Sequence, residues 1–361
     1  MTDAKTDDTT AKDSKKKLYI AAGVIIAIVV IAGVVLALSL GTPAGKSATS
    51  SDVKSYTVIR IANETGSYVN LATIADAKGF FAEHGIKVEW IGPIAGGGPG
   101  QLAAMAGGSQ DAGSAAISAI INAQVAGVKV KAVGSEYVTD SNSAEWYALN
   151  SSGIKSANDL VGKNIGVNTL KAAQEWTVRK YLEENNLSIK NVNLVVVDTN
   201  KAGNPYLAEQ LLRKGDISLI SASDILQNKL VTGGGVTPLF SEYDVWGNAS
   251  GKPAYVVTND LIQKNPEAVK GFVAALAEAA DYTNTHPEES LQIVIAADYP
   301  GINATVAKNI HAKTYPTHGL ISESQVESWI AFLEKEGAIK AGVVKLSDVY
   351  TNEFNPYYSG A

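Results

Sequence analysis

The sequence predicts an α/β protein of two lobes with a cleft between them, preceded by one N-terminal transmembrane helix. Three observations carry this reading. β-branched runs alternate with helical patterns in two separate sets. After the second set the chain returns through a strand at Ala254–Thr258 and finishes mostly in helices. Near the start lies a stretch of 23 residues, Leu18–Leu40, without a single charge. Strand–helix alternation implies parallel sheets covered on both faces, and a there-and-back crossing between two such sheets leaves a cleft.

The uncharged stretch reads LYIAAGVIIAIVVIAGVVLALSL. As a helix it rises about 34 Å, enough to cross a hydrocarbon core of roughly 30 Å. Lys15, Lys16 and Lys17 precede it, and the first positive charge after it is Lys46. The positive-inside bias keeps residues 1–17 as a cytoplasmic tail and puts everything after Leu40 outside, as a single-pass protein of the cell membrane. A signal peptide cleaved near Ala37-Leu38-Ser39 is the alternative, although its apolar stretch usually runs about 7–15 residues.

Charge and composition narrow the function. The chain of 361 residues has a net charge of −6. Residues 1–17 carry five Lys and four Asp, net +1, which leaves 25 basic against 32 acidic residues, net −7, in the rest. An acidic surface is poorly suited to nucleic acid. The absence of cysteine excludes disulfides, Cys-ligated metals and thiol nucleophiles. His84, His286, His311 and His318 show no metal-ligand spacing, and no Gly-x-Ser-x-Gly elbow is present. No catalytic residue, metal or cofactor is expected.

Residues 41–55 are a Gly/Pro/Ser/Thr linker. The first lobe begins with a strand at 56–63, a helix at 71–84, a strand at 86–90, a helix at 101–106, a strand starting at 110–113, a helix at 117–126 and a strand at 128–134. The second has a strand at 164–167, a helix at 172–185, a strand at 193–197, a helix at 205–214 and a strand at 216–221. Helices follow the return at 266–283, 288–296, 302–310 and 322–336, with Pro266 and Pro287 at first helical positions and a capping box at Ser322–Gln325. The division is 56–148 for the first part of lobe 1, 149–252 for lobe 2, and 253–361 for the return to lobe 1.

In open α/β sheets ligands sit beyond the carboxyl ends of the strands, where helix N-termini offer unpaired N–H groups. The loops at those ends are rich in small and hydroxyl residues: Thr65, Gly66, Ser67 and Tyr68; the glycine loop around Gly97; Ser114, Ala115 and Ala116; Thr169, Leu170 and Lys171; and Ser221 with Ser223. Each is a candidate oxyanion site. Any one of them is equally a helix cap or turn, so the argument lies in the set. The glycine loop lacks the endings of a nucleotide-binding motif. Arg179 and Arg213 read as solvated helix-face charges. Trp146 and Tyr255 flank the crossings and are candidate walls for an organic ligand, with core packing as the alternative.

Five blocks in order resemble a known family. GFFAEHGIKVEW (79–90), AAMAGGSQDAGSAA (103–116), SGIKSANDLVGKNIGVN (152–168), LAEQLLRKGDISLISASD (207–224) and the helix pair at 265–294 resemble type II solute-binding proteins of the nitrate/sulfonate/taurine/bicarbonate group. The resemblance implies a type II periplasmic-binding-protein fold that takes a small solute into the interlobe cleft and hands it to an ABC permease with its ATPase. It also implies ligand loops at Thr65–Tyr68, Ser114–Ala116, Thr169–Lys171 and Ser221–Ser223. Two other readings stay open. One is an enzyme on the same fold, of the pyrimidine-precursor or menaquinone-pathway type. The other is a ligand-sensing ectodomain, for which the short tail leaves no output domain.

Overall fold

The computed structural model describes residues 55–63, 70–137, 144–202, 204, 206–247, 253–298 and 314–360. The tail, the uncharged stretch Leu18–Leu40, Thr65–Tyr68 and the helix expected at 302–310 lie outside the described residues. Among the described residues no helix is long and apolar enough to cross a membrane.

Within the unit Lys54–Ala361 there are two five-stranded sheets. Lobe 1 opens with β1 (Thr57–Ile61), α1 (Leu71–Lys78), α2 (Phe80–Glu83), β2 (Ile86–Trp90), α3 (Gly97–Ala106), β3 (Ala112–Ala116), α4 (Ile117–Val125) and β4 (Val130–Ser135). Lobe 2 holds β5 (Glu145–Leu149), β6 (Asn164–Val167), α5 (Ala173–Glu184), β7 (Asn193–Val196), α6 (Thr199–Ala202), α7 (Leu207–Lys214), β8 (Leu219–Ala222), α8 (Asp224–Gly233), β9 (Val236–Ser241) and α9 (Glu242–Trp246). The chain returns through β10 (Pro253–Thr258), α10 (Asn259–Lys264), α11 (Pro266–Thr285), α12 (Pro287–Asp298), α13 (Glu323–Lys335) and α14 (Leu346–Val349).

The sheets are mixed, not wholly parallel. Their orders are β2-β1-β3-β10-β4 and β7-β6-β8-β5-β9. β10 runs antiparallel to β3 and β4, and β5 antiparallel to β8 and β9. The cause is topological. Each is the first strand after a crossing, so it enters its sheet from the carboxyl edge of the parallel strands and must run against them. Because β5 belongs to the second sheet, the first crossing falls between Ser135 and Glu145, earlier than the division at 148/149 expected from sequence.

Each sheet is packed on both faces. In lobe 1 one face carries Ile59, Ile61 and Val257 against α1, α2 and α11, where Phe81 of α2 and Phe272 of α11 stack with centroids 5.4 Å apart. The other face carries Val130, Ala132 and Val256 against α4 and α13. Burial of side chains this size gives roughly 1.5–3 kcal/mol each before conformational entropy is subtracted. The helix expected at 71–84 is two helices, because Gly79 at φ 82° ends α1 in the left-handed region that glycine adopts without strain. The proline rule holds at α11, where Asn265 caps Ala268 and Pro266 follows. The capping box at α13 does not form: Ser322 is the N-cap, but its hydroxyl lies 3.1 Å from Ser324 Oγ and makes no cap bond.

Arg179 and Arg213 are not solvated charges. Each pairs with a glutamate one turn earlier, Glu175 at 2.7 Å and Glu209 at 2.9 Å, and both glutamates are buried at 5% exposure. Lys229 also pairs with Glu209. A buried carboxylate needs such a partner, since an unpaired one costs several kcal/mol (about 3–5 when a buried pair is broken).

Candidate functional site

The carboxyl ends of the parallel strands in both sheets lead into helix starts. Four of these helices make no side-chain cap bond: α3 behind Gly96, α4 behind Ala116, α5 behind Ala172 and α8 behind Ser223. In α3, α4 and α5 the reason is in the sequence, because glycine and alanine have no side chain that caps. An uncapped helix start keeps partial positive charge and favours an anion; at α3 a carboxylate of the other lobe, Asp198, already takes the Gly96 amide.

Several expected residues come together here. A Cβ placed on Gly98 would lie 3.0 Å from Ala115 Cβ and 3.7 Å from the Ala116 amide nitrogen, so only glycine lets the loop approach β3 this closely. A Cβ on Gly97 would lie 3.7 Å from Asn168 Nδ2 and 4.0 Å from Thr169 Cγ2. The glycine loop of lobe 1 therefore faces both its own β3–α4 junction and the Thr169 loop of lobe 2. Hydrogen bonds that cross between the lobes include Lys335 Nζ to Glu183 Oε2 at 3.3 Å, and two beside these loops. The Gly96 amide donates to Asp198 Oδ2 at 2.9 Å, and Asn122 Nδ2 donates to the Lys171 carbonyl at 3.3 Å.

Ser118, in the first turn of α4, was not singled out from sequence. It is fully buried, and its hydroxyl makes no hydrogen bond among the described residues. A buried, unsatisfied hydroxyl costs about 1–3 kcal/mol, so its retention beside uncapped amides is consistent with a binding group. Its signal in sequence was weak, one serine two residues past Ala116.

Other expectations land differently. The Ser114 hydroxyl donates to Glu136 Oε2 at 2.5 Å, and Ser114 is buried at 4% exposure. Its hydroxyl is thus already engaged, by a carboxylate that itself has no exposure. Thr169 and Leu170 do not open a helix, since α5 begins at Ala173 after Lys171, which adopts φ 59°. Lys171 is exposed, and its amide donates to Glu175 Oε2 at 2.8 Å. Ser221 sits within β8 opposite Trp146, and Ser223 is the N-cap of α8. Thr65, Gly66, Ser67 and Tyr68 lie outside the described residues.

Trp146 and Tyr255 are core residues, not walls of a cleft. Trp146 has no exposure and stacks on Phe240 with centroids 5.5 Å apart. Tyr255 is 1% exposed, and its hydroxyl donates to Asn70 Oδ1 at 2.9 Å, locking the cap of α1. Being central in their sheets, both strands turn these rings into the packed faces. At the start of β5, Tyr147 bonds to Glu145, and Gln227 donates to Glu145 at 2.8 Å. Burial, and next the neighbouring carboxylate, push the Tyr147 hydroxyl well above its ordinary range.

Comparison with known proteins agrees with this architecture. A binding protein of Brucella abortus is 24% identical over 281 residues, covering 78% of this chain and 81% of its own. A 4-amino-5-hydroxymethyl-2-methylpyrimidine phosphate synthase of Legionella pneumophila is 24% identical over 312 residues, covering 85% of this chain and 94% of its own. Among solved structures, the periplasmic aliphatic sulphonate binding protein of Escherichia coli superimposes with a TM-score of 0.61 at 19% identity, covering 81% of this chain and 91% of that one. That superposition shows a shared fold. The family described as NMT1/THI5 like matches residues 67–290, which span both lobes and the return into α12, and the chain belongs to that family.

Proposed function

We propose that this protein is the extracytoplasmic solute-binding component of an ABC importer, held to the membrane by Leu18–Leu40. It takes a small solute, a sulfonate, nitrate, taurine or a related organic anion, between its lobes and delivers it to a permease. The observation that carries the reading is the start of α4. There Ser118 offers a buried, unpartnered hydroxyl beside uncapped amides, with the glycine loop packed against Ala115 and facing Thr169 of the other lobe. Donors from both lobes meet a solute only when the lobes are together, so binding favours closure. The relatives named as binding proteins support this reading. The Legionella relative keeps an enzyme on the same fold as the second one.

The test is a thermal-shift series on the full chain in detergent with ethanesulfonate, taurine, nitrate, bicarbonate and acetate. A compound present at about 100 Kd adds roughly 2.7 kcal/mol and a clear rise in Tm. One class raising Tm, and Ser118→Ala weakening that class about tenfold, is the expected result. No rise with any of them, together with no retained solute in native mass spectrometry, would falsify the reading. A compound recovered chemically altered puts the enzyme first.

A further inference from the structure

We propose that Asp198 is a closing latch: a carboxylate of lobe 2 that caps helix α3 of lobe 1 when the lobes meet, and so biases the chain toward its closed form. The inference rests on the reading that the lobes move against one another around a solute.

Helix α3 runs from Gly97 to Ala106, and its N-cap, Gly96 at φ 88°, has no side chain with which to cap it. The missing acceptor comes from the other lobe. Asp198 Oδ2 accepts from the Gly96 amide at 2.9 Å, across 102 residues of sequence. The second oxygen, Oδ1, accepts from the Lys201 amide at 3.0 Å, within lobe 2. One oxygen thus anchors the carboxylate to its own lobe and leaves the other aimed at the helix start. An acid at a helix N-terminus is favourable, and a hydrogen bond to an ionised acceptor is about twice as strong as a neutral one.

The position in the fold matters as much as the bond. Gly96 follows β2, one edge of the first sheet, and Asp198 follows β7, one edge of the second. The crossings attach at the opposite edges: the first leaves β4, and the second leaves α9, just after β9. Near that second crossing the lobes are joined by a far larger contact. Trp246 of α9 packs on Trp329 and Phe332 of α13, with centroids 4.3 and 4.9 Å away, and Trp176 of α5 meets Phe332 at 6.0 Å. Aromatic burial there outweighs a single hydrogen bond. The aromatic pack is therefore the pivot, and the Gly96–Asp198 edge is where the lobes part. On opening, the amide and the freed carboxylate oxygen return to water, so the latch is reversible.

The chain has no cysteine, which allows clean spin labelling. Ala106→Cys on lobe 1 and Lys190→Cys on lobe 2, both exposed positions, carry nitroxides on the full chain in detergent. Pulsed EPR then reads the interlobe distance distribution with no solute added. Asp198→Ala is expected to lower the ratio of short to long distances about tenfold or more, the effect of losing about 1.4 kcal/mol. Asp198→Asn, which keeps an acceptor for Lys201, falls between and serves if the alanine variant does not fold. Distributions of both variants that superimpose on that of the parent overturn the latch. If such variants still gain Tm with the same solutes as the parent, only the latch fails and the solute-binding reading stands.

Discussion

The rings of Trp246 and Trp329 lie 4.3 Å apart at their centroids with 32° between their planes, and the two residues belong to different lobes. Trp246 closes α9 immediately before the second crossing, and its indole N–H donates to Thr177 Oγ1 on α5 at 2.9 Å. Trp329 is fully buried in α13, and its own indole N–H makes no hydrogen bond among the described residues. Two separately packed sheets are thereby joined through apolar surface, so they should unfold together. Trp329→Ala is expected to cost about 3–5 kcal/mol in urea unfolding. It should also split one transition into two as the lobes lose their shared core. Trp329→Phe should cost clearly less, because no hydrogen bond is lost with the indole. A single unbroken transition in Trp329→Ala would show that the lobes are coupled elsewhere.

The Arg60–Asp111 pair joins the end of β1 to the start of β3, two neighbouring strands inside the first sheet. Nε and Nη2 of Arg60 reach the carboxylate at 2.8 and 2.7 Å, and the Arg60 amide adds a third donor at 3.0 Å. Burial alone would raise the Asp111 carboxyl; the Arg60 donors outweigh it and hold the group below its ordinary value of 3.8. A lowered carboxylate stabilises the fold above its unfolded pKa and loses that effect as the pH falls through the folded one. Arg60→Leu is expected to cost about 1 kcal/mol at pH 7, a figure kept small because the guanidinium is about a third exposed. Melting temperatures of the variant and parent should converge as the pH drops below 3.8. A constant difference across that range would mean that lost packing, not charge, explains the cost.

How much of this was legible in the sequence depends on the range of the interaction. β2, β6 and the start of α4 fall where the hydrophobic pattern places them, because local periodicity determines them. β5 and β9 were missed: they are short, and nothing in Glu145–Leu149 signals a partner strand until Ser221 and Phe240 are brought beside it. Strand direction was missed for the same reason, since the pattern of β10 is the same in either direction. Trp146 lay near a crossing in sequence, yet its side of β5 faces the core of lobe 2. At the site, the glycine loop and Thr169 were legible as separate loops. Asp198 was not singled out, because one of its two partners, Gly96, comes from the other lobe.

Ser114 and Thr169 looked equivalent as hydroxyls in ligand loops, and the structure separates them. Ser114 is buried in β3 and supplies a donor to Glu136, a carboxylate with no exposure. Ser114→Ala should therefore destabilise the fold by about 1–3 kcal/mol, the cost of withdrawing a donor from a buried acceptor. Thr169 is half-buried at the lobe 2 lip, opposite Gly97, and carries no comparable structural bond through its hydroxyl in the described contacts. Thr169→Ala should leave urea stability within about 0.5 kcal/mol of the parent while weakening solute affinity. Equal losses of stability in the two variants would remove the distinction.

Asp298 offers a pH dependence of the opposite sign to that of Asp111. It ends α12 and accepts from Thr73 Oγ1 at 2.9 Å, tying that helix to α1. Burial pushes its carboxyl up from 3.8 to about 6, against a smaller downward effect of the threonine bond. The folded chain thus binds this proton more tightly than the unfolded one. The associated stability is fully present below pH 3.8 and is lost as the pH rises through about 6. At pH 7 the buried ionised group then costs about 2–3 kcal/mol, at about 1.4 kcal/mol for each unit of displacement. Asp298→Asn keeps an acceptor for Thr73 and removes the charge. It should therefore melt higher than the parent at pH 7–8 and no higher below pH 3.8, with the difference developing between pH 3.8 and about 6. Urea unfolding of both proteins across that range reads the sign directly, and a variant less stable than the parent at pH 7 would mean that the carboxylate has a stabilising partner.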